Sequence, residues 1–488
     1  MKKILPVLVG CSMAFSIATF ASAEDLETVT VPFMLTMNPA EDTAEVQAAI
    51  NEELAKKDLN IQVELVGIDY ASWTQQMTLM LADGSVDLFN CTFMPSVSVL
   101  ANQGSIVSLN ELLPEYGQGI LDTIGDYIGC ATIDGNIYGV PKVDAFSKAQ
   151  LFFMNKTIAD EVGIDPATIT DYETLTEAFK KVHEAKPDLT VIANGTGGAY
   201  RDIASVDFLG TEDPLGCLIL EAGSDDTTVV NFYETDAFKT MLAQGKEWDE
   251  LGFFMKDPLN AQDGAFSYLA NGQAFGGFGS YASAEVGKNI QEKANAMDLY
   301  VVQVVPDSWA TTANVTAMTW CVAELSDHKE AAVKLLNELY TNPTIANLVC
   351  NGIEGKHYVV TEDGSIDYAE GLDAFSTGWP SGMGTFWPNI TITYPWTPDP
   401  ADVYEDWLST NENCQKSPAL GFSFDASNVS DEISACAGVV DQYYTALLLN
   451  IGDTDALYKE FLEALSDAGI EDIVAEKQAQ LDAWKAEQ

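Results

Sequence analysis

Two rhythms of apolar residues run along this chain of 488 residues. Segments 29–34, 61–66 and 86–89 are short, apolar and rich in β-branched side chains, which predicts strands. Between them, Val46, Ile50 and Leu54 recur at helical spacing within 43–56. Trp73, Met77 and Leu81 do the same within 70–81, and that spacing predicts core packing for Trp73. Asp83-Gly84 closes the second helix. Strand, helix, strand, helix, strand predicts right-handed crossovers and a largely parallel sheet. Ligands of such sheets sit beyond the carboxyl ends of the strands, which here are 34–38 and 90–94.

The pattern then stops and restarts. Asp134-Gly135 is a tight turn, 136–140 a strand, and Pro141 ends it because proline cannot donate to a central ladder. Residues 142–147 read as a linker carrying Lys142, Asp144 and Ser147, and a new strand (150–154) and helix (157–162) follow. The segment 142–147 therefore reads as a crossing between domains. A chain of this length exceeds one core in any case. Further helices are predicted over 172–183, 238–251 and 329–340, and strands over 189–192, 273–278, 301–305 and 318–323. The tail 431–484 is almost wholly helical, with Ile433, Val440, Tyr443, Leu447, Phe461, Leu465, Ile473 and Leu481 on its apolar faces. The fold class is α/β.

Charge narrows the choice of partners. The net charge is −51, and Arg201 is the one arginine. Such a surface repels phosphate backbones, which argues against nucleic acid. Lys2 and Lys3, the apolar run 4–20 and the small-residue site Ala21-Ser22-Ala23 read as a secretory signal peptide over 1–23. Leu8-Val9-Gly10-Cys11 offers a rival lipidation site at Cys11. The expected location is outside the cytoplasmic membrane. Cys91, Cys130, Cys217, Cys321, Cys350, Cys414 and Cys436 are scattered with no C-x-x-C pair, which reads as free, buried thiols rather than a disulfide framework or a zinc site.

Asp134 to Pro141, DGNIYGVP, resembles the "DGKxYGxP" stretch of bacterial extracellular solute-binding proteins, family 1. Leu81-Ala82-Asp83-Gly84 with Asp87-Leu88, Phe153-Met154-Asn155-Lys156 with 162–166, and 325–331 are similar to further segments of that family. Segments 352–358 and 421–425, and the tail from Ala468-Gly469-Ile470 to Trp484-Lys485, resemble its lipoprotein-type subgroup. The chain departs from the family at Thr385-Phe386-Trp387-Pro388-Asn389, where a "GN" pair is usual. The resemblance implies the receptor of a carbohydrate ABC importer, with a two-lobe periplasmic-binding-protein-like fold, a hinge and a helical C-terminal extension. It implies further crossings near 310–314 and 359–363. The first lobe is then 24–144 with 312–360, and the second 145–311 with 361–488. The implied partners are an oligosaccharide and membrane permease subunits, and the receptor is expected to be a monomer.

Sugars present apolar C–H faces and rings of hydroxyls, so aromatic, amide, carboxylate and lysine side chains recognise them. The densest aromatic stretch is 378–396, and Trp379 and Trp387 are its candidate cleft residues; Trp309 lies near a crossing. Strand-end loops add Asn38, Thr92, Phe93, Tyr200 and Tyr281. Lys142 and Asp144 lie in the hinge, where they line the cleft or pair with each other. Arg201 either clamps an acidic sugar or forms a surface ion pair. No nucleophile elbow, H-E-x-x-H or phosphate-loop motif occurs, so no catalytic residue, cofactor or metal site is assigned. The competing readings are a receptor of the same architecture for peptide or another solute, and a secreted carbohydrate-active hydrolase.

Overall fold

The computed structural model describes residues 26–487 except 36–38, 194–204, 212–213, 257–263, 306–307, 380–385 and 398. The signal-peptide segment with Cys11, and also Asn38, Tyr200 and Arg201, lie outside the described residues.

Two large cores form, each around its own sheet. In the first, the strand Glu27–Leu35 runs parallel to Ile61–Asp69, joined by the helix Thr43–Ala55, which buries Val46, Ile50 and Leu54. The helix Trp73–Asp83 follows, burying Trp73 and Met77, and ends at Gly84 in the left-handed region (φ 74°), where a Cβ is disfavoured. Asp87 ties the next strand, Leu88–Asn90, to the first, since its N–H donates to the Thr30 carbonyl at 3.1 Å. Leu88–Asn90 then pairs antiparallel with Thr319–Val322, which pairs in turn with Val140–Pro141.

The second core surrounds a four-stranded sheet in the order Leu299–Gln303, Ala149–Asn155, Ala274–Tyr281, Thr190–Ile192. Only the last pair is parallel. The sheets are therefore mixed rather than largely parallel. The reason is the crossings: Ala149–Asn155 leaves the waist while Ala274–Tyr281 returns to it, so the two meet head to tail. The helix Tyr172–Ala185 begins with a reciprocal Asp171–Thr174 capping box and buries Leu175, Phe179 and Val182 against this sheet.

The tail helices Ser430–Leu448, Thr454–Asp467 and Ile470–Glu487 complete the second core through Cys436, Leu447, Phe461, Leu465, Ile473 and Leu481. Lys477 is buried among them. Its ammonium donates to the carbonyls of Gly216 (2.9 Å) and Phe208 (3.2 Å) and lies over the Phe424 ring, which replaces the water it gives up.

Segment 361–397 corrects the expected lobe boundary. It packs on the first core, not the second. Trp379 meets Phe33 at 5.2 Å between ring centroids, and Trp387 stacks on Trp320 at 5.5 Å. The Trp396 indole N–H donates to Asn351 Oδ1 at 2.7 Å, and the Ile366 N–H donates to the Pro395 carbonyl at 2.8 Å. These contacts keep the described residues from Ile366 to Trp396 on the first core, beyond the crossing expected near 359–363. Trp379→Ala is expected to destabilise the protein by about 3–5 kcal/mol in denaturant unfolding, as loss of a fully buried indole from a packed core does. A loss below about 1 kcal/mol would remove 361–397 from that core.

Candidate ligand-binding site

The carboxyl ends of three first-lobe strands, at Leu35, Asp69 and Asn90, open on one edge. Here the turn Tyr70–Ser72 and the loop after Asn90 present two rings to solvent. Tyr70 is 55% and Phe93 56% exposed, and they meet edge to face at 5.4 Å. Phe93 also has φ 61°, in the left-handed region, where a bulky side chain costs about 1–2 kcal/mol. The loop is held there by its neighbours. Asn90 Oδ1 accepts from the Thr92 N–H (2.8 Å), while its amide donates to the Phe386 carbonyl (2.8 Å). The Trp73 indole donates to the Thr92 carbonyl (2.8 Å) and the Thr74 hydroxyl to the Phe93 carbonyl (3.0 Å). Thr92 itself is buried.

Behind this edge lies an apolar pocket walled by Phe33, Trp73, Thr92, Trp320, Phe386 and Trp387. Trp387 is buried, and its indole N–H has no hydrogen-bond partner among the described residues. Across the waist, Tyr281 ends the strand Ala274–Tyr281 beside Ala149. It is half-buried against Phe153 (5.6 Å), and its hydroxyl accepts from the Gln291 amide. Ser280 next to it is exposed and accepts from the Gln150 amide at 3.4 Å.

The other expected residues fall elsewhere. Trp379 is enclosed in the first core, donating to the Val349 carbonyl at 3.1 Å, so it packs rather than presents a face. Trp309 is buried in the short strand Trp309–Ala310 against the second core, and its indole N–H has no partner among the described residues. Lys142 is 2% exposed and pairs with the partly exposed Asp144 at 2.6 Å, which satisfies a charge too buried to stand alone. Tyr70 is the residue that periodicity missed. It opens the apolar pattern 70–81 and reads as a helix residue, whereas a separate 3-10 turn carries it. The seven cysteines among the described residues are all free, and all but the half-buried Cys414 are buried. Among the described residues no cluster of His, Cys, Asp and Glu is arranged to hold a metal ion, and no helix is long and apolar enough to cross a membrane.

A charged clasp fixes the start of the helix Thr43–Ala55. Asp42 accepts from Lys356 (2.9 Å), and His357 Nε2–H donates to Asp42 Oδ2 (3.1 Å). The other ring nitrogen, Nδ1, accepts from the Ile353 N–H at 2.7 Å, which fixes the neutral tautomer. Lys356 holds the Asp42 carboxyl below its ordinary range. Burial pushes His357 down, because protonation would charge an enclosed ring and break the Ile353 bond.

The family profile described as "Bacterial extracellular solute-binding protein" matches residues 49–353, and a domain of unknown function, DUF3502, matches 418–486. A "Carbohydrate ABC transporter substrate-binding protein" of Streptococcus pneumoniae is 26% identical over 451 residues, covering 90% of this chain and 88% of that relative. The fold is also that of the N-glycan transport solute-binding protein NgtS of S. pneumoniae, at TM-score 0.79 and 24% identity, covering 93% of this chain and 98% of that one. The same protein in complex with Man5GlcNAc superposes at TM-score 0.67 and 24% identity, with 94% and 99% covered. An extracellular solute-binding protein of Bifidobacterium longum subsp. infantis superposes at 0.65 and 15% identity, with 95% and 99% covered.

The clasp makes a pH prediction. The folded pKa of His357 lies below its unfolded value near 6.5, so the unfolded chain binds the extra proton first. Stability is then lost as pH falls below about 6.5, and the Asp42 contribution follows below about 4. Denaturant unfolding of His357→Gln from pH 7.5 to 5 is expected to show a shallower loss than the wild type. Parallel curves would contradict the assignment.

Proposed function

The chain belongs to the bacterial extracellular solute-binding proteins, and from that premise we propose that it is the receptor of a carbohydrate ABC importer. It takes an oligosaccharide between two lobes and hands it, intact, to permease subunits in the membrane. The lobes are 26–144 with 312–397, and 145–311 with 399–487. The observation that carries the sugar reading is the exposed Tyr70–Phe93 pair at the strand ends. A loop that keeps a phenyl ring in water on a strained backbone stabilises nothing in the unliganded fold. A sugar's C–H face covering those rings supplies the missing burial.

The rest of the site follows from the same edge. Trp387 and Thr92 form the apolar floor behind the rings. Tyr281 and Ser280 answer from the second lobe, and Asp144 belongs to the waist segment between the lobes. Charge supports a neutral guest: 74 acidic against 23 basic side chains disfavour an anion, and a peptide carboxylate finds few cations. The receptor acts outside the cytoplasmic membrane as a monomer, exported by its N-terminal segment. It does no chemistry on the sugar. Closure is a population shift, since a ligand touching both lobes favours the closed form.

Calorimetric titration with Man5GlcNAc and with a panel of shorter glycans tests this. Binding is expected, with Tyr70→Ala and Phe93→Ala each weakening it about tenfold and leaving the far-UV spectrum unchanged. Mass spectrometry is expected to recover the glycan uncut. Binding of peptides with no glycan bound, or cleaved glycan, would overturn the proposal.

A further inference from the structure

Three segments join the lobes, and one buried amide links two of them. The helix Val403–Asn413 lies at the waist, where Val403 and Tyr404 share a cluster with Val286 and Ile290 of the second lobe and Ile390 of the first. From its last turn the Asn411 side chain reaches the first crossing. Its Nδ2–H donates to the Asp144 carbonyl at 2.7 Å, and its Oδ1 accepts from the Phe146 N–H at 2.7 Å. Asn411 is 8% exposed, so both bonds are shielded from water. One carboxamide thereby takes the place of a residue in a parallel strand, which also pairs with the carbonyl before and the N–H after a single partner residue. The Asn411 backbone carbonyl accepts from the Tyr127 hydroxyl at 2.8 Å, and Tyr127 packs against Phe146 at 4.6 Å. Tyr127 lies on the first lobe's core.

We propose that Asn411 is the positioning residue of the hinge: it locks 144–146 to the last crossing, so that the crossings turn as one and bending falls on Ser147 and Lys148. The other edge of the same strand is already paired, with the Val143 N–H donating to the Pro388 carbonyl at 2.8 Å. With the Val143 and Phe146 N–H groups and the Asp144 carbonyl held in this way, a second conformation of 143–146 has to break these bonds. Removing the amide frees one edge. The lobes then sample orientations in which Tyr281 and the Tyr70–Phe93 pair do not face each other, and apparent affinity falls with the fraction of competent molecules. Asn411 touches no ligand in this scheme. The proposal rests on the two-lobe receptor reading.

The test uses the full chain with donor and acceptor dyes on noncanonical residues at exposed Thr78 and Lys239, one on each lobe. Asn411→Ala removes both bonds. Asn411→Asp keeps the acceptor for the Phe146 N–H but sets an anion against the Asp144 carbonyl. Asn413→Ala is the control, since Asn413 is exposed and bonds only to Ser409 in its own helix. Both Asn411 variants are expected to broaden the interlobe distance distribution without ligand and to weaken Man5GlcNAc about tenfold, mostly through slower association. The control is expected to match the wild type. A wild-type distribution in Asn411→Ala, with only its melting temperature lowered, would overturn the proposal and leave Asn411 a packing residue. If the wild type binds no glycan, the sugar reading falls, and the distance distributions still decide the role of Asn411.

Discussion

A chain that passes between two cores must keep its crossing backbone hydrogen-bonded, because the waist is too enclosed for water to do it. Everything else in this molecule depends on that constraint. The Lys142 N–H donates to the Met318 carbonyl and the Val143 N–H to the Pro388 carbonyl, each at 2.8 Å, so the first crossing lies between two other segments of the first lobe. Farther along, Trp309–Ala310 pairs with Gln415–Lys416, and the Gly421 N–H donates to the Thr312 hydroxyl at 2.8 Å. A waist paired in this way resists sliding and shear but still allows rotation about its own axis, which is the motion a clamping receptor needs.

The exposed aromatic edge at Tyr70 and Phe93 inherits its order from the same arrangement. Asn90 ends a strand paired to Thr319–Val322, which leads straight out of the second crossing. Its amide and carbonyl oxygen then organise both the Phe93 loop and the Phe386 carbonyl, so loop geometry and waist geometry are joined through one side chain. Lys142 shows the electrostatic side of the constraint. An ammonium this buried requires a partner, and Asp144, two residues on, supplies it within the crossing strand itself.

Much of the fold was legible in the sequence because it is local. The i, i+4 rhythm of Val46, Ile50 and Leu54 locates one helix, and Trp73 with Met77 names the buried face of the next. Asp134 and Gly135 form the expected tight turn, both with left-handed φ, at 49° and 74°. What was not legible depends on distant contacts. Segment 361–397 has rings among Gly and Pro and no period, so nothing in it says which core it joins. The aromatic density around Trp379 and Trp387 suggests cleft residues, yet one fills a core and the other floors a pocket, because burial is decided by Phe33 and Trp320 far away in the chain. The Tyr70–Phe93 pair needs two loops brought together, and no glycine marks the left-handed backbone at Phe93. The function came from ordered motif resemblance, and the chemistry of its residues from their placement.

Small-angle X-ray scattering with and without saturating Man5GlcNAc addresses the receptor reading most directly. The radius of gyration should shrink as sugar bridges the lobes, with the scattering curve shifting toward a more compact two-lobed particle. Scattering curves that superimpose while calorimetry reports full occupancy would mean that the lobes do not close on their guest.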